Sequence, residues 1–264
     1  MVWRFQRGHM PFQKVQSEKL AQSVIRQIEL LILRGILRPG ERLPSERELS
    51  ERMDVSRPSL REAVADLHAR GLLVTRPGSG IYVDETLDAH YPPALLRLFS
   101  THDEAVLDYI AFRRDIEGIA AERAATVGSD TDLRVIAKVF EKMEAAHSKR
   151  NPSEEARLDA QFHMAIIEAS HNVVMLHMMR GMFDMLAEGV FFNRQIMFKQ
   201  RATRDMLLDQ HRAINDAIHR RDPEAARAAV AAHLTFVEES LTAQRKAEKN
   251  EEIARMRYEH EQSR

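Results

Sequence analysis

Residues 43–64 read Leu43-Pro44-Ser45-Glu46-Arg47-Glu48-Leu49-Ser50-Glu51-Arg52-Met53-Asp54-Val55-Ser56-Arg57-Pro58-Ser59-Leu60-Arg61-Glu62-Ala63-Val64, and this stretch spells two helices joined by a tight turn. Ser45-Glu46-Arg47-Glu48 is a capping box, in which the serine hydroxyl and the glutamate three residues on satisfy each other's orphan N–H groups. A short helix therefore opens here, with Leu49 and Met53 on one side. Asp54-Val55 breaks it. Ser56 caps the next helix and Pro58 sits in its first turn, where a missing N–H is harmless. Leu60, Val64 and Leu67 form its apolar stripe and Gly71 ends it, while Arg57 and Arg61, four residues apart, share the opposite face.

Working outward, Leu20, Val24, Ile28, Leu31 and Ile32 recur at helical spacing between Lys19 and Leu33, with Ser17 as N-cap and Gly35 as stop. Arg38-Pro39-Gly40 is a turn. Downstream, the β-prone runs Leu72–Thr75 and Ile81–Val83 flank Arg76-Pro77-Gly78-Ser79-Gly80, which reads as a hairpin tip. The spacing predicts a winged helix-turn-helix domain over residues 14–83, preceded by a flexible start at 1–13, where Gly8-His9-Met10 reads as a junction and Met10 as the natural start. Residues 84–93, ending Tyr91-Pro92-Pro93, read as a linker. Beyond it only helical periodicity is found, over 94–100, 103–127, 130–147, 153–170, 172–188, 203–220 and 223–245. The expected fold class is mainly α: a winged head with a small β-hairpin, then an all-α bundle over 94–243 and a charged tail over 244–264, either a solvated helical extension or frayed.

At 264 residues, 44% of them hydrophobic, the chain is long enough for two such cores. It contains no cysteine, which excludes disulfides, thiolate metal sites and cysteine nucleophiles and fits a reducing cytoplasm. No apolar run approaches the ~18 residues of a membrane span, and the N-terminus does not read as a secretion signal, so no membrane partner is expected. The net charge of −1 is unevenly spread: residues 1–84 carry 14 Lys+Arg against 10 Asp+Glu, leaving the remainder acidic.

A basic head of this pattern points to DNA. Arginines at the start of a recognition helix reach guanine O6 and N7 bidentately, so Arg57 and Arg61 are candidate base readers, with Ser59 offering a small hydroxyl between them. Arg47 is placed for the backbone or an adjacent base, and the bare tip around Gly78 can approach a phosphate or enter a minor groove. Any one of these arginines alone reads as solvated surface; the ordered combination carries the signal. Leu43–Leu49, Val55–Ala63, Gly71-Leu72-Leu73 and Gly78-Ser79-Gly80 together resemble the DNA-binding domain of GntR-type bacterial transcription regulators over roughly residues 14–83. The resemblance implies operator contacts at Arg47, Arg57, Ser59, Arg61 and Gly78, with double-stranded DNA as partner.

In the second half, Asp159 and His163 lie one helical turn apart, and His211 and His233 each fall on a later helix. Three antiparallel helices could converge these groups inside a bundle. One carboxylate and three imidazoles suit a borderline divalent ion: zinc is expected, with nickel or manganese as alternatives. Taken singly, each histidine also fits a surface pair or a satisfied core group. Residues 103–241 resemble the FCD effector domain of the FadR-type GntR subfamily, and the four residues fall on its metal-binding positions in order. The acyl-CoA-responsive founder lacks these histidines, so the resemblance is to the metal-containing branch that includes lactate- and pyruvate-responsive regulators. Arg113 resembles the position at which that subfamily turns an arginine toward a small-carboxylate effector; the alternative is an exposed arginine paired with Glu117. Asn215, one turn after His211, could line the same cavity, and the methionines of 175–185 read as pliable core.

The combined expectation is a homodimeric, effector-responsive transcription regulator, each winged helix taking half of a near-palindromic operator, with a small organic acid bound at the ion altering the heads through residues 84–93. The competing readings are a metal-dependent hydrolase fused to a DNA-binding head, with Glu168 or Asp184 as base, and a regulator whose ion is purely structural.

Overall fold

The computed structural model describes residues 18–87, 95, 98, 99, 102–187 and 201–262. The expected flexible start, most of the expected helix 94–100 and residues 88–93 of the expected linker lie outside the described residues. The chain divides into two compact units, Met1–Leu87 and Asp88–Arg264.

The first unit follows the sequence signals closely. Helix α1 spans Glu18–Leu33, α2 Glu46–Arg52 and α3 Arg57–Ala69, followed by β1 Leu73–Arg76 and β2 Gly80–Val83. The capping box forms: Ser45 Oγ accepts from Glu48 N at 3.3 Å while Ser45 N donates to Glu48 Oε2 at 3.1 Å. The buried stripe of α1 is Ala21, Val24, Ile25, Ile28 and Ile32, packed with Leu60 and Leu67 of α3. Leu20, expected in that stripe, is 49% exposed, because the stripe is centred one residue further along. Each fully buried aliphatic side chain contributes roughly 1.5–3 kcal/mol.

The strands pair antiparallel from Leu73 opposite Val83 to Arg76 opposite Gly80. The segment before α2 pairs with β2 through a single bridge outside this two-stranded hairpin: Val83 N donates to Glu41 O, Leu43 N donates to Ile81 O, each at 2.9 Å, and Arg42 bridges Tyr82. Residues 84–87 also belong to the head. Asp84 Oδ1 accepts from Thr86 N at 2.8 Å, a 3-10 turn covers Glu85–Leu87, and Leu87 packs on the core.

In the second unit α4 is Asp103–Val127, α5 Asp130–Lys149, α6 Pro152–Ala169, α7 Val173–Ala187, α8 Arg201–His219 and α9 Pro223–Gln262. The Asn-Pro and Asp-Pro starts behave as expected: Asn151 Oδ1 accepts from Glu154 N at 3.3 Å and Asp222 Oδ1 from Ala225 N at 3.0 Å. Among the described residues no strand follows Val83. Helix α9 runs on to Gln262, past the expected boundary at 243, as the solvated extension; no glycine or proline follows Pro223 to stop it. One continuous core, including Ile110, Ile136, Phe162, Ile166, Ile214 and Leu234, joins five of these helices, and Met179 adds α7. Met178 is 58% exposed, so the methionine-rich helix is core on one side only. Among the described residues no helix is long and apolar enough to cross a membrane.

Candidate metal centre and nucleic-acid interface

On the head, the stripe Leu60, Val64 and Leu67 of α3 is buried and Arg57 and Arg61 are exposed on the other side. Arg61 Nε donates to Glu46 Oε2 at 2.9 Å, and Arg47 Nε lies 3.8 Å from Glu51 Oε1. Exposed pairs of this kind are worth at most about 1 kcal/mol, so a phosphate or a base edge competes with them readily. Ser59 behaves differently from expectation. It is buried, and its hydroxyl is engaged with Ser56 Oγ at 2.9 Å as part of the cap of α3. Gly78, at the wing tip, adopts φ +71° with nothing within 4 Å of where a Cβ would stand, so the tip presents bare backbone.

In the helical unit the four predicted ligands come together. Asp159 and His163 project from α6, His211 from α8 and His233 from α9, all at most 4% exposed. One donor atom from each lies within 4.8 Å of every other. His211 Nε2 is 3.0 Å from Asp159 Oδ1 and 3.3 Å from His163 Nε2. Phe162 meets the edge of His211 with ring centres 5.3 Å apart, and Phe183 stacks on His163 at 6.2 Å. Arg204 fixes α8 against α6 near this point, its Nε 3.0 and 3.1 Å from the two carboxylate oxygens of the buried Glu155.

Two further residues orient the imidazoles: Gln210, which the sequence reading did not single out, and Glu117, which it named only as a partner of Arg113. His163 Nδ1 lies 2.6 Å from Glu117 Oε2, and His233 Nδ1 lies 3.1 Å from Gln210 Oε1. With the proton of each ring on Nδ1, the nitrogen nearest the acceptor oxygen, Nε2 is left as a lone-pair donor facing the cluster. Burial lowers the basicity of His163 against the pull of Glu117. For His233, burial together with the neighbouring His211 and His163 pushes the pKa well below the ordinary histidine value. Neutral rings are the form that ligates cations.

Arg113 keeps the expected pairing with Glu117 but not the expected exposure. It is paired with Glu117, Nε to Oε1 at 2.5 Å, yet it is 1% exposed. Burial acts to raise the Glu117 pKa, but Arg113 and His163 outweigh it and hold the carboxyl down at about 2. The guanidinium is correspondingly kept charged by Glu117 against burial. Its Nη2 is buried with no hydrogen-bond partner among the described residues, and its carbon lies 5.0 Å from the Phe183 ring centre. Asn215, on the same face of α8 as His211, likewise has a buried Oδ1 without a partner among the described residues. Glu168 is not in the four-residue cluster; it lies 3.9 Å from Arg180, and the side chain of Asp184 lies outside the described residues.

A winged helix-turn-helix head and an α-helical unit with a buried cluster of three histidines and one aspartate define the class, that of a two-unit transcription regulator. Residues 20–83 match bacterial regulatory proteins of the gntR family, and residues 108–236 match the FCD domain. The chain is 34% identical over 232 residues to the Glc operon transcriptional activator of Escherichia coli (strain K12), covering 86% of this chain and 91% of that protein. It is 30% identical over 213 residues to the HTH-type transcriptional regulator LutR of Bacillus subtilis (strain 168), covering 80% and 96%. A solved Streptococcus agalactiae GntR structure superposes with a TM-score of 0.54 at 28% identity, covering 83% of this chain and 99% of that one. The protein belongs to the GntR family of transcription regulators, in the FadR-like subfamily that carries an FCD domain, and is not an enzyme.

Proposed function

We propose that the protein is a cytoplasmic, metabolite-responsive regulator that binds a near-palindromic operator as a homodimer and senses a small carboxylate at a divalent cation in its helical unit. The observation that carries this reading is the convergence of four buried donors within 4.8 Å beside Arg113, whose Nη2 has no hydrogen-bond partner among the described residues. The donor set fits a cation: one carboxylate oxygen and three imidazole nitrogens are the ligands preferred by zinc, nickel or manganese. Ligands of one ion at about 2.1 Å stand roughly 3–4 Å apart, close to the separations in the cluster. Asp159, His163, His211 and His233 would hold the ion, zinc being the first expectation. Bound there, it would supply a Lewis-acid position for carboxylate or hydroxyl oxygens.

The chain's own residues supply the rest. Arg113 Nη2 donates to the carboxylate, and Asn215 offers a polar edge one turn below His211. Phe162 and Phe183 line the imidazoles and keep water out, which strengthens the charge–charge attraction. Glu117 keeps the proton of His163 on Nδ1. On the head, Arg47, Arg57, Arg61 and the Gly78 tip meet the operator, and Ser59 supports Arg57 and Arg61 through the cap of α3. Regulation requires that the carboxylate bind one arrangement of the dimer more tightly than the other.

A thermal-shift screen tests the site. L-lactate and pyruvate, or a related small acid, are expected to raise the melting temperature of the metal-loaded protein, corresponding to about 2.7 kcal/mol at a hundred times Kd. The same acids should have no effect after chelation. A midpoint lowered by chelation but unmoved by any small carboxylate would assign the cation a structural role alone.

A further inference from the structure

The outward face of the wing carries a guanidinium beyond those on α2 and α3. Because Arg42 bridges Tyr82, and Tyr82 and Gly80 pair with Val74 and Arg76, these residues share one face of the hairpin and the segment bridged to it. Leu43, Leu73, Ile81 and Val83 point the other way, into the core. A Cβ on Gly80 would stand 3.1 Å from Arg42 Nε, at a φ of +119° that L side chains rarely adopt. Glycine therefore leaves the space in which the Arg42 side chain lies across the base of the wing.

The two arginines on this face differ. Arg76 is occupied: its Nη2 donates to Glu85 Oε1 at 2.8 Å and its guanidinium carbon sits 4.5 Å from the Tyr82 ring centre. Arg42 is exposed and, among the described residues, has no carboxylate partner. It borders a groove of about 310 Å³ that runs between the wing tip and the start of α2, lined also by Ser45, Glu46, Gly78 and Gly80. Glu46 is the residue that holds Arg61 of α3. The groove thus connects Arg42, through Glu46, to the exposed arginine face of α3.

We propose that Arg42 binds DNA through the phosphate backbone, as the wing's counterpart to the arginines on α3. This rests on the head being the DNA-binding unit. The chemistry favours phosphate over a base edge: no helix carries Arg42 into a groove, while an unpaired guanidinium fork beside the bare Gly78 backbone matches two phosphate oxygens. Such an interaction adds affinity without sequence information.

The test uses the full-length protein, a duplex selected by it from a random-sequence library, and a scrambled duplex of the same composition, with affinities measured across a salt series. Arg42→Gln should weaken binding to both duplexes by the same factor, roughly tenfold. It should also flatten the plot of log affinity against log salt by about 0.9 for each phosphate that is no longer neutralised. Arg42→Lys should keep most of the slope, a readout independent of any loss of folding in the glutamine variant. Arg57→Ala, in contrast, should lose roughly 5–150-fold on the selected duplex and less on the scrambled one. If Arg42→Gln leaves affinity and slope unchanged while Arg57→Ala binds poorly, the Arg42 assignment fails and the DNA reading stands. A loss confined to the selected duplex would make Arg42 a base reader and overturn the phosphate assignment. A wild-type protein that prefers neither duplex and shows no salt dependence would overturn both.

Discussion

Glu117→Ala is expected to destabilise the helical unit by about 3–5 kcal/mol, the typical cost of removing one partner of a buried ion pair. The substitution strands the Arg113 guanidinium, 1% exposed and with Nη2 already lacking a partner among the described residues. It also removes the acceptor 2.6 Å from His163 Nδ1, which fixes that ring's tautomer. Loss of an outer-sphere carboxylate of this kind costs a further 10–100-fold in metal affinity. Urea denaturation of the full-length protein gives the first quantity and a competition titration with a chelator gives the second. Replacing both partners, with Arg113→Met and Glu117→Leu, should recover much of the stability without the metal affinity, since neither charge is then left unpaired. A Glu117→Ala variant within 1 kcal/mol of wild type would show that the pair does not hold the bundle together at this point.

His211→Ala is expected to reduce the bound cation from about one per chain to roughly a tenth or less after dialysis. His211 Nε2 lies 3.0 Å from Asp159 Oδ1 and 3.3 Å from His163 Nε2, so its loss removes a donor in direct reach of two others. Two of the remaining ligands then share one helix and only His233 comes from elsewhere. His219→Ala is the matched control: it lies on the same helix but is exposed, with Nδ1 bonded to Asn215 O at 2.8 Å. Elemental analysis should find a wild-type metal ratio in that variant. An undiminished ratio in His211→Ala would remove it from the ligand set.

Most of the head could be read directly from the chain because its signals are local. The capping box at Ser45–Glu48, the cap at Ser56 and the glycines of the wing each specify their structure within four residues. The i,i+4 spacing of Asp159 and His163 likewise needed only a helix to bring both to one face, and the resemblance to the FCD domain set them in register with His211 and His233. What escaped is of another kind. Glu117 and Gln210 act on histidines of neighbouring helices, at sequence separations of 46 and 23 residues, and no local pattern encodes such a pairing. The i,i+4 pair of Arg113 and Glu117 was visible but reads equally as solvated charge; its burial comes from packing against Phe183 and Tyr109. Ser59 reads as a hydroxyl available to DNA, whereas the second residue of the N-cap network is turned inward to meet Ser56. Arg38-Pro39-Gly40 reads as a turn, and the turn forms, but the segment after it also pairs with β2, an arrangement that depends on a strand 40 residues downstream.

One chain carries both a basic winged head and a buried carboxylate–imidazole cluster, and the proposed function links them by making DNA affinity depend on a metabolite. The most direct measurement is the Kd for the selected duplex at fixed salt, taken for the metal-loaded protein with and without saturating L-lactate or pyruvate. A shift of roughly fivefold or more, in either direction and abolished by His211→Ala, is the predicted result. An unchanged Kd across the small carboxylates, with cation bound and salt held constant, would contradict the account.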